Sequence, residues 1–131
     1  MKDIQLNAKY SEEIVVTDDK LANKVGSGLV SVYATPMMIA QMEHAAAACL
    51  APFLDEGETS VGVMMNTTHD AATPSGMKVF VEAEIIAVDK KKVSFKVVAK
   101  DEKDVIGTAT HDRFIVIKDK FESRAQAKLE K

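Results

Sequence analysis

Glu43 calls most for a chemical explanation, because it is a carboxylate inside a nearly unbroken apolar stretch, Pro36 to Pro52, where only Gln41 and His44 share its polarity. Burying an unpaired carboxylate costs several kcal/mol. Glu43 therefore either faces a subunit seam, satisfied by backbone or a basic side chain, or serves a dry cleft as general base or nucleophile. Thr35 stands just before Pro36, where a threonine is an ordinary helix cap followed by a proline at the first helical position. A helix start also offers free N–H groups and a positive dipole end, so a hydroxyl there sits where an oxyanion or thioester carbonyl is welcome. Thr35 and Glu43 are eight residues apart, or ~12 Å along one helix. For both to serve one site, the substrate bridges them, the chain at Thr35 folds back, or a second subunit completes the site.

His69 opens His69-Asp70-Ala71-Ala72-Thr73-Pro74-Ser75-Gly76, a segment whose Thr-Pro and Ser-Gly pairs read as a tight loop. A histidine there is either a solvated side chain or, if the loop closes a cleft, a proton carrier near neutral pH. His111 and Arg113 share one face of a strand, which suits structural or substrate-positioning roles. His44 points elsewhere on the helix, and Cys49 reads as core.

The elements that must place these groups follow from periodicity. A helix of about 16 residues starts at Thr35-Pro36 and ends near Pro52. It is apolar nearly all round, so a sheet must wrap it. Residues 59–68, 77–88, 92–100 and 105–117 are rich in Val, Ile, Phe and Thr and read as strands, the last three joined by short polar turns as an antiparallel meander. Residues 8–17 alternate imperfectly, as a strand near a sheet edge does, and residues 18–28 read as a helical turn or mobile loop, the best candidate for a lid. The expected architecture is α+β, one antiparallel sheet curved around one long central helix. Residues 1–131 form a single domain in this reading, with 118–131 as a charged tail. A long apolar sheet edge calls for a partner, so a dimer joining two sheets edge to edge is expected.

Composition narrows the function. With 131 residues, 47% hydrophobic and 28% charged, the chain suits one soluble domain and excludes disordered, collagenous and coiled-coil classes. A net charge of −3, 5% aromatics and no Trp argue against a nucleic-acid partner. No stretch has the pattern of a secretion signal or reaches the roughly 20 apolar residues of a membrane span. One cysteine, with no CxxC or Cys/His cluster, favours a cytoplasmic location and offers no metal site. GxSxG, P-loop, GxGxxG and HExxH motifs are absent.

Val32-Tyr33-Ala34-Thr35-Pro36, Glu43-His44-Ala45, Val61-Gly62, the segment His69 to Gly76, and Gly107-Thr108-Ala109-Thr110-His111-Asp112-Arg113-Phe114 together resemble the hotdog-fold thioesterases, most closely the fluoroacetyl-CoA thioesterase-like group. The resemblance implies a thioester hydrolase with Thr35, Glu43 and His69 as its catalytic set, and Gly62 near the thioester carbonyl. In that group the threonine is nucleophile or positioning hydroxyl, the glutamate base or activating partner, and the histidine proton carrier or alternative nucleophile. It also implies a dimer with active sites at the subunit interface. Residues 18–32 hold no aromatic to wall off a very small fluorinated acyl group, so the expectation is a short- or medium-chain acyl-CoA rather than fluoroacetyl specificity. Coenzyme A enters as part of the substrate, with no separate cofactor. The expected partners are that acyl-CoA and a second copy of the chain, with a tetramer as a further step of assembly. Lys78, Lys90, Lys91, Lys92 and Arg113 are the candidate cations for substrate binding at the CoA phosphates. The rival readings are a non-catalytic acyl-CoA binding or sensor protein on the same fold and, last, a hotdog hydratase, whose Asp and His spacing the adjacent His69-Asp70 does not match.

Overall fold

The computed structural model describes residues 1–130. Strand β1 (Lys9–Val15) is followed by a short helix α1 (Ala22–Val25) and the long helix α2 (Thr35–Leu50). Then come β2 (Glu58–Thr67), β3 (Lys78–Asp89), β4 (Lys92–Asp101), β5 (Val105–Ile117) and a terminal helix α3 (Lys118–Gln126). The five strands form one antiparallel sheet in the order β1-β3-β4-β5-β2. β3, β4 and β5 are the expected meander and β1 lies at an edge. β2 takes the opposite edge, beside β5.

The sheet's inner face follows the period-2 pattern, with Val79, Val81, Ala83 and Ile85 on β3 and Val93, Phe95, Val97 and Ala99 on β4 all fully buried. Met38, Met42, Ala45, Ala46, Cys49 and Leu50 of α2 pack on that face at helical spacing, the alanines allowing close approach. Extra residues in β2, β3 and β5 (Val63, Ile86 and Ile106) shift the register and add local twist, which lets the sheet curl around the helix.

Two expectations need correction, and a third, open between two readings, is decided. The capping residue is Ala34, with Thr35 already the first helical residue and Pro36 the second, so the Thr35 hydroxyl makes no cap bond and is free for other contacts. The sheet curves around α2 as expected, but the helix is not buried on every side: Ala40 and His44 are exposed and Met37, Glu43 and Ala47 half-buried, because one curved sheet covers only one face. Of the two readings of residues 18–28, a helical turn or a mobile loop, the structure has the helical turn. A short helical turn at Asp18–Lys20 leads into α1, and Gly26, in the left-handed region at φ 92°, turns the chain back. Its base is closed by Ala22 N–H to the Val32 carbonyl at 2.8 Å and Asn23 N–H to the Val30 carbonyl at 3.2 Å, leaving Leu29 at the tip 96% exposed.

Candidate active site

The chain entering α2 is held on both sides, the Tyr33 N–H donating to the Thr73 carbonyl at 2.8 Å and the Ala34 N–H to the Lys20 carbonyl at 2.9 Å. Thr73 is in turn fixed, its hydroxyl donating to Asp101 at 2.9 Å while the other Asp101 oxygen accepts from the Lys103 and Asp104 N–H groups. These bonds tie the segment after β2 to the start of α2. His69 is not on a free loop. Thr68 N–H to the Thr108 carbonyl at 3.2 Å and Asp70 N–H to the Ile106 carbonyl at 2.7 Å continue the β2–β5 ladder on either side of it.

Thr35 and His69 meet as a result, with Thr35 Oγ1 2.7 Å from His69 Nδ1. His69 Nε2 is buried without a hydrogen-bond partner. Burial pushes the His69 pKa down, with Asp70 and the Ala71 backbone working the other way. Neutral imidazole is the form that can accept a hydroxyl proton. The pair opens on a cleft of about 290 Å³ walled by Tyr33, Asp70, Ala71 and Ala72 and, from the folded segment before α2, Gly28 and Val30. The first turn offers fewer oxyanion donors than a generic helix start, since Pro36 has no N–H and the Met37 N–H is given to the Ala34 carbonyl at 3.0 Å.

Glu43 belongs to a second cluster. Its Oε2 lies 3.7 Å from Arg113 Nη1, and its side chain is 44% exposed while that of Arg113 is 9% exposed. A carboxylate so placed carries little of the expected burial cost, because water and a guanidinium share its charge. Arg113 is anchored through Nε–H to Ser60 Oγ at 2.8 Å and Nη2–H to the Ser60 carbonyl at 2.9 Å, while Nη1 lies 3.2 Å from His111 Nε2. With those contacts and a buried side chain, Arg113 is held inside this cluster. Of the other candidate cations, Lys90, Lys91 and Lys92 are exposed and Lys78 sits 3.7 Å from Glu13.

Gly62 explains how this cluster fits together. A Cβ there would lie 2.8 Å from Glu43 Oε2, 3.2 Å from His111 Cε1 and 3.5 Å from Arg113 Nη1. The Glu43 carboxylate is the flexible end of a half-exposed side chain and can swing away, so Gly62→Ala should fold but misplace that group. We expect kcat to fall about 10- to 100-fold, as for a displacement of ~1 Å at a site, with Tm lowered by only a few degrees. Wild-type kcat in that variant would show that the Glu43 position is not used.

The clusters Thr35–His69 and Glu43–Gly62–Arg113 are joined by no hydrogen bond or ion pair among the described residues. Helix α2 runs uninterrupted through Thr35 and Glu43, so a fold-back at Thr35 is excluded. Bridging by substrate and completion by a second subunit remain. The residue that sequence reasoning valued too little is His111, fully buried against Phe95; its spacing from Arg113 was the available signal.

His69 and His111 both have pKa values lowered from 6.5, chiefly by burial. The folded protein thus binds these protons less readily than the unfolded chain. The stability they contribute is complete above about pH 6.5 and is lost as pH falls through their folded pKa values. Tm should therefore drop between about pH 7.5 and about pH 5; a flat or rising Tm over that range would contradict the burial of neutral imidazoles.

A family model described as fluoroacetyl-CoA-specific thioesterase matches residues 16–119. The chain belongs to the fluoroacetyl-CoA-specific thioesterase family. A member from Streptantibioticus cattleyicolor, a fluoroacetyl-CoA thioesterase, is 40% identical over 97 residues, 74% of this chain and 70% of that protein. A solved fluoroacetyl-CoA thioesterase superposes with a TM-score of 0.93 at 32% identity, covering 97% of this chain and 98% of that one. A thioesterase superfamily member of Thermus thermophilus gives a TM-score of 0.92 at 32% identity, covering 99% and 96%. The fold is the hotdog, α+β, with its antiparallel sheet curved over one long helix.

Proposed function

We propose that this protein hydrolyses a short- or medium-chain acyl-CoA thioester to the carboxylate and free CoA. The observation that carries the reading is the 2.7 Å contact between Thr35 Oγ1 and His69 Nδ1 at the start of α2, facing a cleft, in a member of a thioesterase family. Neutral His69 accepts a proton through Nδ1, from the Thr35 hydroxyl or from a water that hydroxyl holds. The oxygen so activated adds to the thioester carbonyl, the C–S bond breaks, and the CoA thiolate leaves with a proton. Where the Thr35 oxygen adds, water then releases the acyl group. Glu43, with the Arg113 guanidinium beside it, is the second base or activating partner. CoA is part of the substrate, and the reaction is assigned to side chains rather than to a metal or redox cofactor.

The working unit is a homodimer. β2 pairs with β5 on one side only, and its open edge carries Val63 and Met64, 57% and 39% exposed. An edge of this kind is a template for a second strand. Gly62 and Glu43 stand beside it, so joining two β2 edges places Glu43 at the seam and lets one subunit complete the site of the other. Among the described residues no helix is long and apolar enough to cross a membrane, and the free, buried Cys49 agrees with a cytoplasmic location.

The test is release of CoA thiol from acyl-CoAs of increasing chain length. Turnover with a maximum at short or medium chains supports the proposal. Tight binding of the same thioesters without release would instead assign a binding or sensor role.

A further inference from the structure

We propose that His111 is a positioning residue that keeps Arg113 from closing onto Glu43, an inference that rests on the thioesterase reading. The imidazole has two contacts, Nδ1 at 2.7 Å from the Met64 carbonyl and Nε2 at 3.2 Å from Arg113 Nη1. A carbonyl only accepts and a guanidinium only donates. The pair of contacts is therefore met by one form alone, the neutral ring with its proton on Nδ1 and a lone pair on Nε2. The Met64 carbonyl that fixes this tautomer belongs to β2 at the register shift between Gly62 and Met64.

The consequence falls on Arg113. Its Nε–H and one Nη2–H go to Ser60, and its Nη1 stands 3.2 Å from His111 Nε2 and 3.7 Å from Glu43 Oε2. The first is a hydrogen bond and the second is too long to be one. Glu43 thus has a positive charge nearby while both carboxylate oxygens stay clear of a guanidinium hydrogen bond. The bond to His111 holds the guanidinium where its second Nη1–H falls short of Glu43; without that anchor Nη1 can move onto the carboxylate, and a closed Arg–carboxylate pair would hold Glu43 as a weaker base. Protonation of His111 has the same effect, since an Nε2–H would point at the guanidinium. The charged groups facing the ring are Arg113 and Asp112 on β5 and Glu43 on α2; β4 contributes the Phe95 ring, 6.1 Å between centroids. Burial and Arg113 push its pKa down, which keeps it neutral near neutral pH.

Two substitutions separate positioning from support of the fold. The amide of His111→Asn overlays Nδ1, keeps a donor for Met64 and offers nothing to Arg113. The amide of His111→Gln overlays Nε2, keeps an acceptor for Arg113 and abandons Met64. We expect kcat to fall about 30-fold in His111→Asn and to stay within about threefold of wild type in His111→Gln, although His111→Gln has the lower Tm. The acid limb of log kcat/KM should lose about one unit of slope in His111→Gln, because one of two essential neutral imidazoles no longer titrates. Nitrogen-15 NMR of the wild-type imidazole, which needs no activity, should show an Nδ1–H, Nε2-acceptor ring. An Nε2–H tautomer, full activity in His111→Asn, or equal losses in both variants would overturn the proposal. A wild-type protein with the expected tautomer but no thioester hydrolysis would instead sink the thioesterase reading.

Discussion

His69→Ala is expected to lower kcat/KM for acyl-CoA hydrolysis by about 10³-fold or more, the scale of losing a base that activates a nucleophile, while leaving the protein folded. The imidazole touches Thr35 through Nδ1, and its buried Nε2 has no partner. A buried polar atom left unsatisfied costs roughly 1–3 kcal/mol, so removing the ring should leave Tm unchanged or raise it. Losing activity without stability is the mark of a group held in place for chemistry. Thr35→Ala should show a comparable loss, and Thr35→Ser should recover most of it because the hydroxyl is kept. Steady-state kinetics beside thermal melting checks all three; a His69→Ala enzyme within tenfold of wild type would remove His69 from the mechanism.

Gly107→Ala is expected to damage stability and catalysis together. A Cβ at this buried position of β5 would sit 2.6 Å from the Thr68 carbonyl and 2.9 Å from Met38 Cε. The first obstacle is backbone and cannot rotate away. Overpacking of this kind costs about 1–3 kcal/mol, or ~5–10 °C in Tm for a domain of this size. The strain falls on both sides of the catalytic pair, since Thr68 precedes His69 and Met38 lies within one turn of Thr35. We therefore expect kcat to fall more than about tenfold from misplacement alone. Wild-type melting and turnover in Gly107→Ala would show that the approach of β5 to the His69 segment is not needed.

Much of the fold is legible because its signals are local. Alternation of buried and exposed residues marks β3, β4 and β5, and the polar turns between them fix the meander. Thr35-Pro36 and Pro52 bracket α2, although the proline falls at the second helical position and Ala34 takes the cap. In the segment before α2 the helical turn was one of two legible readings, but its closed base was not, because that comes from bonds such as Ala22 to Val32 rather than from periodicity. The same limit applies to the site. Thr35 and His69 stand out as residue types, yet their contact spans 34 positions and exists because the His69 segment extends the β2–β5 ladder. Glu43 reads as a carboxylate in an apolar helix, but its half-exposure and its neighbour Arg113 follow from the sheet's one-sided cover. Gly107 shows the opposite case: in sequence it is a weak point in a strand, in space a required gap.

The central claim is that these side chains break a thioester, and the most direct test is CoA thiol release from acetyl-CoA by the wild-type protein beside Glu43→Ala, with binding of the same thioester measured in parallel. The account predicts multiple turnovers in the wild type and a fall of about 10²-fold or more in Glu43→Ala, with binding retained in both. Binding without thiol release in the wild type, across the acyl-CoA series, would contradict it.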